Sequence, residues 1–177
     1  MSAPRVLTQQ KTKTMFQNSI TIKNRHRRFI EEIIQQECVW GLQSKWGFAS
    51  TISNQFEDKN EESIGIICFW SNEELATICA KKYWKEYEPT KITLSDFLEN
   101  WCMEIHNDHL LIGTNFDWNL SGQENEPLEL LVEITSKLLA TKTELFFDNF
   151  EGVGDLKVQA KSMLYGVIIP NEGVLCY

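Results

Sequence analysis

No run of about eighteen apolar residues occurs in the chain, so no segment of it reads as a membrane-spanning helix. The opening residues Met1 to Phe16 lack the apolar stretch of a secretion signal, so no targeting segment is expected. Proline is scarce at four residues and glycine at nine, which leaves little composition for long disordered linkers. None of the five cysteines forms a C-x-x-C pair, and the clustered ligand spacing of a zinc site is missing. Cys38, Cys68, Cys79 and Cys102 sit in apolar patterns and read as buried free thiols; with Cys176 the count is odd, which fits a reducing compartment. The phosphate-loop pattern G-x-x-x-x-G-K and the nucleophile elbow G-x-S-x-G are both absent, and Gly152-Val153-Gly154 is too short to stand for a nucleotide fingerprint. No cofactor is implied.

The first 28 residues contain no acid at all. They carry Arg5, Lys11, Lys13, Lys23, Arg25, Arg27 and Arg28, a charge of +7, while ten bases set against all 25 acids leave the rest at −15. The whole chain is therefore −8. A body this acidic repels phosphates, so nucleic acid is disfavoured as a partner and a basic protein is favoured. With 177 residues, 42% of them hydrophobic, the chain suffices for one domain that buries roughly 70% of its unfolded surface.

Hydrophobic spacing predicts the elements. Residues 1–17 read as polar and irregular, Ile20 and Ile22 as a weak strand, and Asn24 as the cap of a helix that buries Phe29, Ile30, Ile33 and Ile34 and ends near Gln36. Val39 to Leu42 and Trp46 to Ala49 read as strands about a turn at residues 43–45, followed by a loop over 53–63. Ile64 to Trp70 is a continuous apolar strand, buried on both faces. Ser71 with Glu74 forms a capping box for a helix that turns Leu75, Ile78 and Cys79 inward and stops before Pro89. After an extended Ile92 and Leu94, Ser95 caps a helix whose inner face is Leu98, Trp101, Cys102 and Ile105. Leu110 to Gly113 is a strand, 119–126 a loop, and Pro127 opens a helix striped by Leu128, Leu131, Ile134, Thr135 and Leu138. Two strands, Leu156 to Ala160 and Leu164 to Ile169, complete the chain. Helices and strands do not alternate regularly. The expected fold is therefore α+β, a single domain with a mainly antiparallel sheet of short strands and about four helices.

Four blocks carry a likeness to a known family. They are Val39-Trp40-Gly41-Leu42 with Trp46-Gly47-Phe48-Ala49; Phe69-Trp70-Ser71-Asn72-Glu73-Glu74; Tyr87-Glu88-Pro89 with Phe97-Leu98 and Trp101; and Leu111-Ile112-Gly113-Thr114-Asn115 with Gly122 and Pro127-Leu128-Glu129-Leu130. In content, order and spacing this stretch, Asn24 to about Ala140, resembles the bacterial family catalogued as domain of unknown function 2750. The resemblance implies no activity. It divides the chain into a basic leader (1–23), a family-like α+β core (24–142) and a strand-rich C-terminal extension (143–177) packed on the same domain.

Candidate chemistry is thin. His106 and His109, three apart and beside Glu104 and Asp108, are the candidate metal ligands, with helix-end capping as the competing explanation. Carboxylate pairs are abundant but fall in loops or at helix starts, where acids suit the helix dipole. Of the six tryptophans, Trp40, Trp70 and Trp101 suit the core, whereas Trp84 and Trp118, with Tyr83, Tyr87 and Phe116, are expected to line a surface groove. The expected binding residues are Trp84, Tyr87, Phe116 and Trp118. Arg25, Arg27 and Arg28, placed at a helix start, are expected to pair with acids elsewhere in the body or in a second subunit. The reading that follows is a cytoplasmic, non-catalytic protein-binding module. Its acidic body binds a basic protein partner, in an immunity- or antitoxin-like role at its sharpest, and a homo-oligomer is left open. The alternative is an enzyme or small-ligand-binding protein whose site is not recognisable from motifs.

Overall fold

The apolar run 64–70 lies in the middle of the sheet because both of its faces are covered. In the computed structural model, which describes residues 5–166 and their side chains from Ser19 onward, it forms β4 (Ser63–Trp70). Alternate residues point opposite ways along a strand. Ile67 and Phe69 therefore enter one hydrophobic cluster, and Ile66, Cys68 and Trp70 the other. β1 (Cys38–Ser44) and β6 (Leu111–Thr114) split in the same manner, with Val39 and Ile112 on the first face and Leu42 and Leu111 on the second.

The sheet is mixed and seven-stranded. β1 pairs antiparallel with β2 (Gly47–Phe48), with β5 (Glu88–Thr93) and with the end of β4. β3 (Ser50–Glu57) runs antiparallel to β4, and β7 (Gln123–Asn125) to β6. β4 and β6 are parallel, with Ile66 opposite Leu111 and Phe69 opposite Thr114. The first face is covered by α1 (Arg5–Gln36), by α3 (94–107), by α4 (Pro127–Thr141) and by α5 (Val153–Tyr165). α2 (Glu73–Ala80) packs on the second face with Trp84 and Phe116. The architecture is α+β, as the irregular element order implies.

Several local expectations change. From Arg5 onward the leader is not irregular, Ile20 and Ile22 are not in a strand, and Asn24 is not a cap, because one helix runs without a break from Arg5 to Gln36. Arg25, Arg27 and Arg28 therefore lie inside a helix, where the dipole argument for their placement no longer applies. β3 occupies half of the expected 53–63 loop. Its polar sequence suits a strand with little cover, since only Ser53 of its eight residues is buried. The turn after β1 falls at Lys45 and Trp46, leaving Trp46 66% exposed. Asn72, not Ser71, caps α2 and accepts from the Leu75 N–H at 3.0 Å. That helix ends at Ala80, before Pro89 as expected, but Ile78 faces solvent. Thr93, not Ser95, caps α3, which includes a π-helical turn over Phe97–Trp101. β7 lies within the expected 119–126 loop.

The largest change lies near the C-terminus. Residues 153–165 form a helix, not strands. Val153, Leu156 and Ala160 recur at helical spacing and are buried against α4, a period that the local alternation of Leu156, Val158 and Ala160 concealed. Of the second expected strand, Leu164 to Ile169, the first two residues are helical, Gly166 caps the helix, and residues 167–169 lie outside the described residues.

Candidate functional site

β6 ends at Thr114, and the backbone then enters a left-handed turn at Asn115 (φ 46°), a conformation that asparagine tolerates better than most residues. Turned this way, Asn115 Oδ1 accepts the Ser71 N–H at 2.9 Å and Asn115 Nδ2 donates to Ser71 Oγ at 3.1 Å. The Ser71 hydroxyl donates to Glu32 of α1 at 2.5 Å. Nearby, Trp70 Nε1 and the Cys79 thiol both donate to the Phe116 carbonyl, at 2.9 and 3.1 Å. Partial burial pushes the Glu32 carboxyl up, but hydrogen bonds from Ser71, Arg28 and Asn72 outweigh it and hold the group below its ordinary value. Arg25 extends this junction, reaching Asp117 at 3.2 Å. The residues that stand out in the sequence between 69 and 74 and between 111 and 115 thus bind one another. They join the ends of the two parallel strands to α1.

The expected aromatic groove does not form as an open surface. Trp84 and Phe116 are buried in the second cluster, Trp84 edge-on to Trp70 at 6.0 Å, and Tyr87 packs against the same cluster. Of the four expected residues only Trp118, 57% exposed, faces solvent, with the exposed Tyr83 nearby on the Lys82 turn. His106 and His109 do not converge. His106 Nδ1 lies 2.5 Å from Glu126, whereas His109 adopts a left-handed conformation (φ 58°) just past the end of α3, its N–H donating to the His106 carbonyl. Among the described residues no three His, Cys, Asp or Glu side chains are grouped to hold a metal ion.

What sequence reasoning missed is a cavity of about 680 Å³ between β7, β3, α1 and the start of α4. Ile64, Leu111, Leu130 and Phe56 give it apolar walls. Glu124, Glu126, Glu129 and Glu133 give it four carboxylates, and no Lys or Arg lines it. Glu124 is only 7% exposed. Its carboxylate accepts from Ser53 Oγ at 2.5 Å, and that hydroxyl is aimed there because its oxygen already accepts the N–H groups of Gln55 and Phe56. No ion pair reaches Glu124 among the described residues. A buried carboxylate without a cation is expensive. His26 stands on the rim, with Nε2 3.1 Å from Glu133 and Nδ1 2.9 Å from the buried Thr114 hydroxyl. A second hollow of about 630 Å³, between the end of α4 and the start of α5, has mainly apolar walls and no buried polar side chain.

The sequence profile of the family described as "Protein of unknown function (DUF2750)" matches residues 26–134, well over half of the chain. The chain belongs to this family. Neither a curated protein nor a solved structure matches it. In this DUF2750 chain the matched region runs from His26 through Ile134, so it takes in Glu32, Ser71 and Asn115 of the polar junction and all four cavity carboxylates, but not Arg25. Most of α1 and all of α5 lie outside it. Among the described residues no helix is long and apolar enough to cross a membrane.

Proposed function

We propose that the protein is a non-catalytic binding module whose carboxylate-lined cleft receives basic side chains of a protein partner. The observation that carries this reading is Glu124, a carboxylate more than nine-tenths buried, held by one hydroxyl and opening on a cavity that no Lys or Arg lines. Apolar walls suit the methylene stem of lysine or arginine, and carboxylates suit its head. Glu129 and Glu133, four apart on α4, repel each other in the free protein and gain most from an incoming cation. The −15 charge outside the leader steers a basic partner toward the cleft. The sharpest form of the reading is an immunity- or antitoxin-like role in the cytoplasm, in which the acidic body occludes a basic toxin.

Selection of a random peptide library on the immobilised protein tests it. Enriched peptides are expected to carry lysine or arginine and to lose binding to a Glu124→Gln, Glu129→Gln, Glu133→Gln variant. Enrichment without basic residues, or undiminished binding to that variant, overturns the reading.

A second reading draws on the pairs His26–Glu133 and His106–Glu126, which place two imidazoles at or beside a cavity of small-ligand size. It makes the protein a small-ligand binder or an enzyme. A thermal-shift screen of amines and other small metabolites separates the two, since only this reading expects a small molecule to stabilise the native state.

A further inference from the structure

We infer that the cleft selects lysine over arginine and that Ser53 sets the choice. The inference rests on the cleft being a receptor for basic side chains, and it names which of the two it takes. Ser53 is buried, and its oxygen already accepts the Gln55 and Phe56 N–H groups at 3.0 and 2.7 Å. Its one hydrogen therefore goes to Glu124 Oε2, at 2.5 Å. That oxygen is turned to the buried end of the β3 turn. Glu124 Oε1 accepts no hydrogen bond among the described residues. It is not sealed either, since Arg25 Nε is the only described side-chain nitrogen or oxygen that is both unpartnered and shut off from solvent. One carboxylate oxygen, not two, is thus open on the cavity.

Arginine is held most strongly by a carboxylate when two parallel N–H groups reach both oxygens in one plane. Ser53 stands where the second of them would go. An ammonium is a compact charge whose three donors turn independently. It pairs with Oε1 alone and directs its other hydrogens to water or to Glu126 on the rim, for which a cavity of about 680 Å³ has room. Phe56, Ile64 and Leu111 line the way in and suit the four-carbon stem of lysine. Glu129 and Glu133 are exposed. Ion pairs at exposed carboxylates contribute little, so the rim does not reverse the preference.

Nuclear magnetic resonance titration of the full chain tests this, with two blocked glycine pentapeptides that carry a central lysine or a central arginine. The lysine peptide is expected to bind about tenfold tighter, the size of one hydrogen bond to a charged group, and to shift the amide signals of Phe56 and Glu124. Ser53→Ala frees Oε2 and is expected to bring the two peptides to near parity, with circular dichroism confirming its fold. If that variant does not fold, a peptide with a central trimethyl-lysine decides on the wild type. It keeps the charge and the stem but has no donor, and is expected to bind no better than the arginine peptide. Arginine bound as tightly as lysine, a preference that survives in folded Ser53→Ala, or trimethyl-lysine bound as tightly as lysine overturns the inference. Equal binding of lysine and arginine that the Glu124→Gln, Glu129→Gln, Glu133→Gln variant abolishes leaves the cleft a receptor for basic side chains and removes only the selectivity. No binding of either peptide removes both.

Discussion

Removing Glu99 is expected to loosen the segment between α4 and α5. Glu99 sits in the π-helical turn of α3 and is only 6% exposed. Its carboxylate accepts the Asp148 N–H at 3.0 Å, the Asn149 N–H at 2.5 Å and the Asn149 side-chain amide at 2.8 Å. A hydrogen bond to a charged group contributes about 1.5–3 kcal/mol. Two opposing effects reduce the sum in Glu99→Ala. Asp148 and Asn149 are exposed, so water replaces part of what their N–H groups lose, and deleting the carboxylate also removes the penalty of burying it. A net loss of about 2 kcal/mol is expected, which for a chain of this size lowers the melting temperature by roughly 4–8 °C. Glu99→Gln keeps one acceptor oxygen and is expected to lose about half as much. Urea denaturation gives the global value, and amide exchange at 148 and 149 gives the local one. A loss within about 0.5 kcal/mol, the range of ordinary surface substitutions, with unchanged protection at both amides, would refute the reasoning. The edge-on packing of Phe147 and Phe150 would then be what holds the segment.

Gly122→Ala would set a Cβ 2.0 Å from the Phe116 ring, which is itself buried, so a loss of about 1–3 kcal/mol is expected in a thermal melt. Acid stability tests Glu32. Its folded pKa is depressed, so its contribution is complete above the ordinary value of 4.5 and is lost as pH falls through the lower folded value. Denaturant titrations are expected to show a shallower fall in stability through that window for Glu32→Gln than for the wild type. The four described cysteines are buried, and burial pushes the Cys68 and Cys102 thiols up and the Cys79 thiol to about 11. Under native conditions at neutral pH none of the four is expected to react with a disulfide reagent, and all four are expected to react once urea unfolds the chain. Mass spectrometry of the labelled peptides distinguishes them.

The parts of the fold legible in the sequence are those where burial acts along one element. The α4 stripe of Leu128, Leu131, Ile134, Thr135 and Leu138 is buried in full, and the 64–70 run is a central strand because a two-sided core leaves no polar alternation. β3 was not legible, because its stability comes from pairing with β4 rather than from its own side chains. The helical leader and α5 were read wrongly for opposite reasons. One has too few apolar residues to show a period, and the other has enough to show two. The cleft could not be read at all. Glu124, Ser53, His26 and Glu133 come from four separate elements, and only the β4–β6–β7 topology gathers them. His26 also lies in an Arg-rich stretch that reads as bulk charge.

The unbroken helix from Arg5 to Gln36 has one more consequence. A flexible basic leader would average its charge over many directions. A stiff one gives the molecule a large permanent electric dipole, and the helix adds to it because its own positive pole is at the same end. Such a molecule experiences a torque in the field of any charged surface. It turns its acidic body or its basic tip toward that surface before contact, so what it meets first depends on the sign of the neighbour.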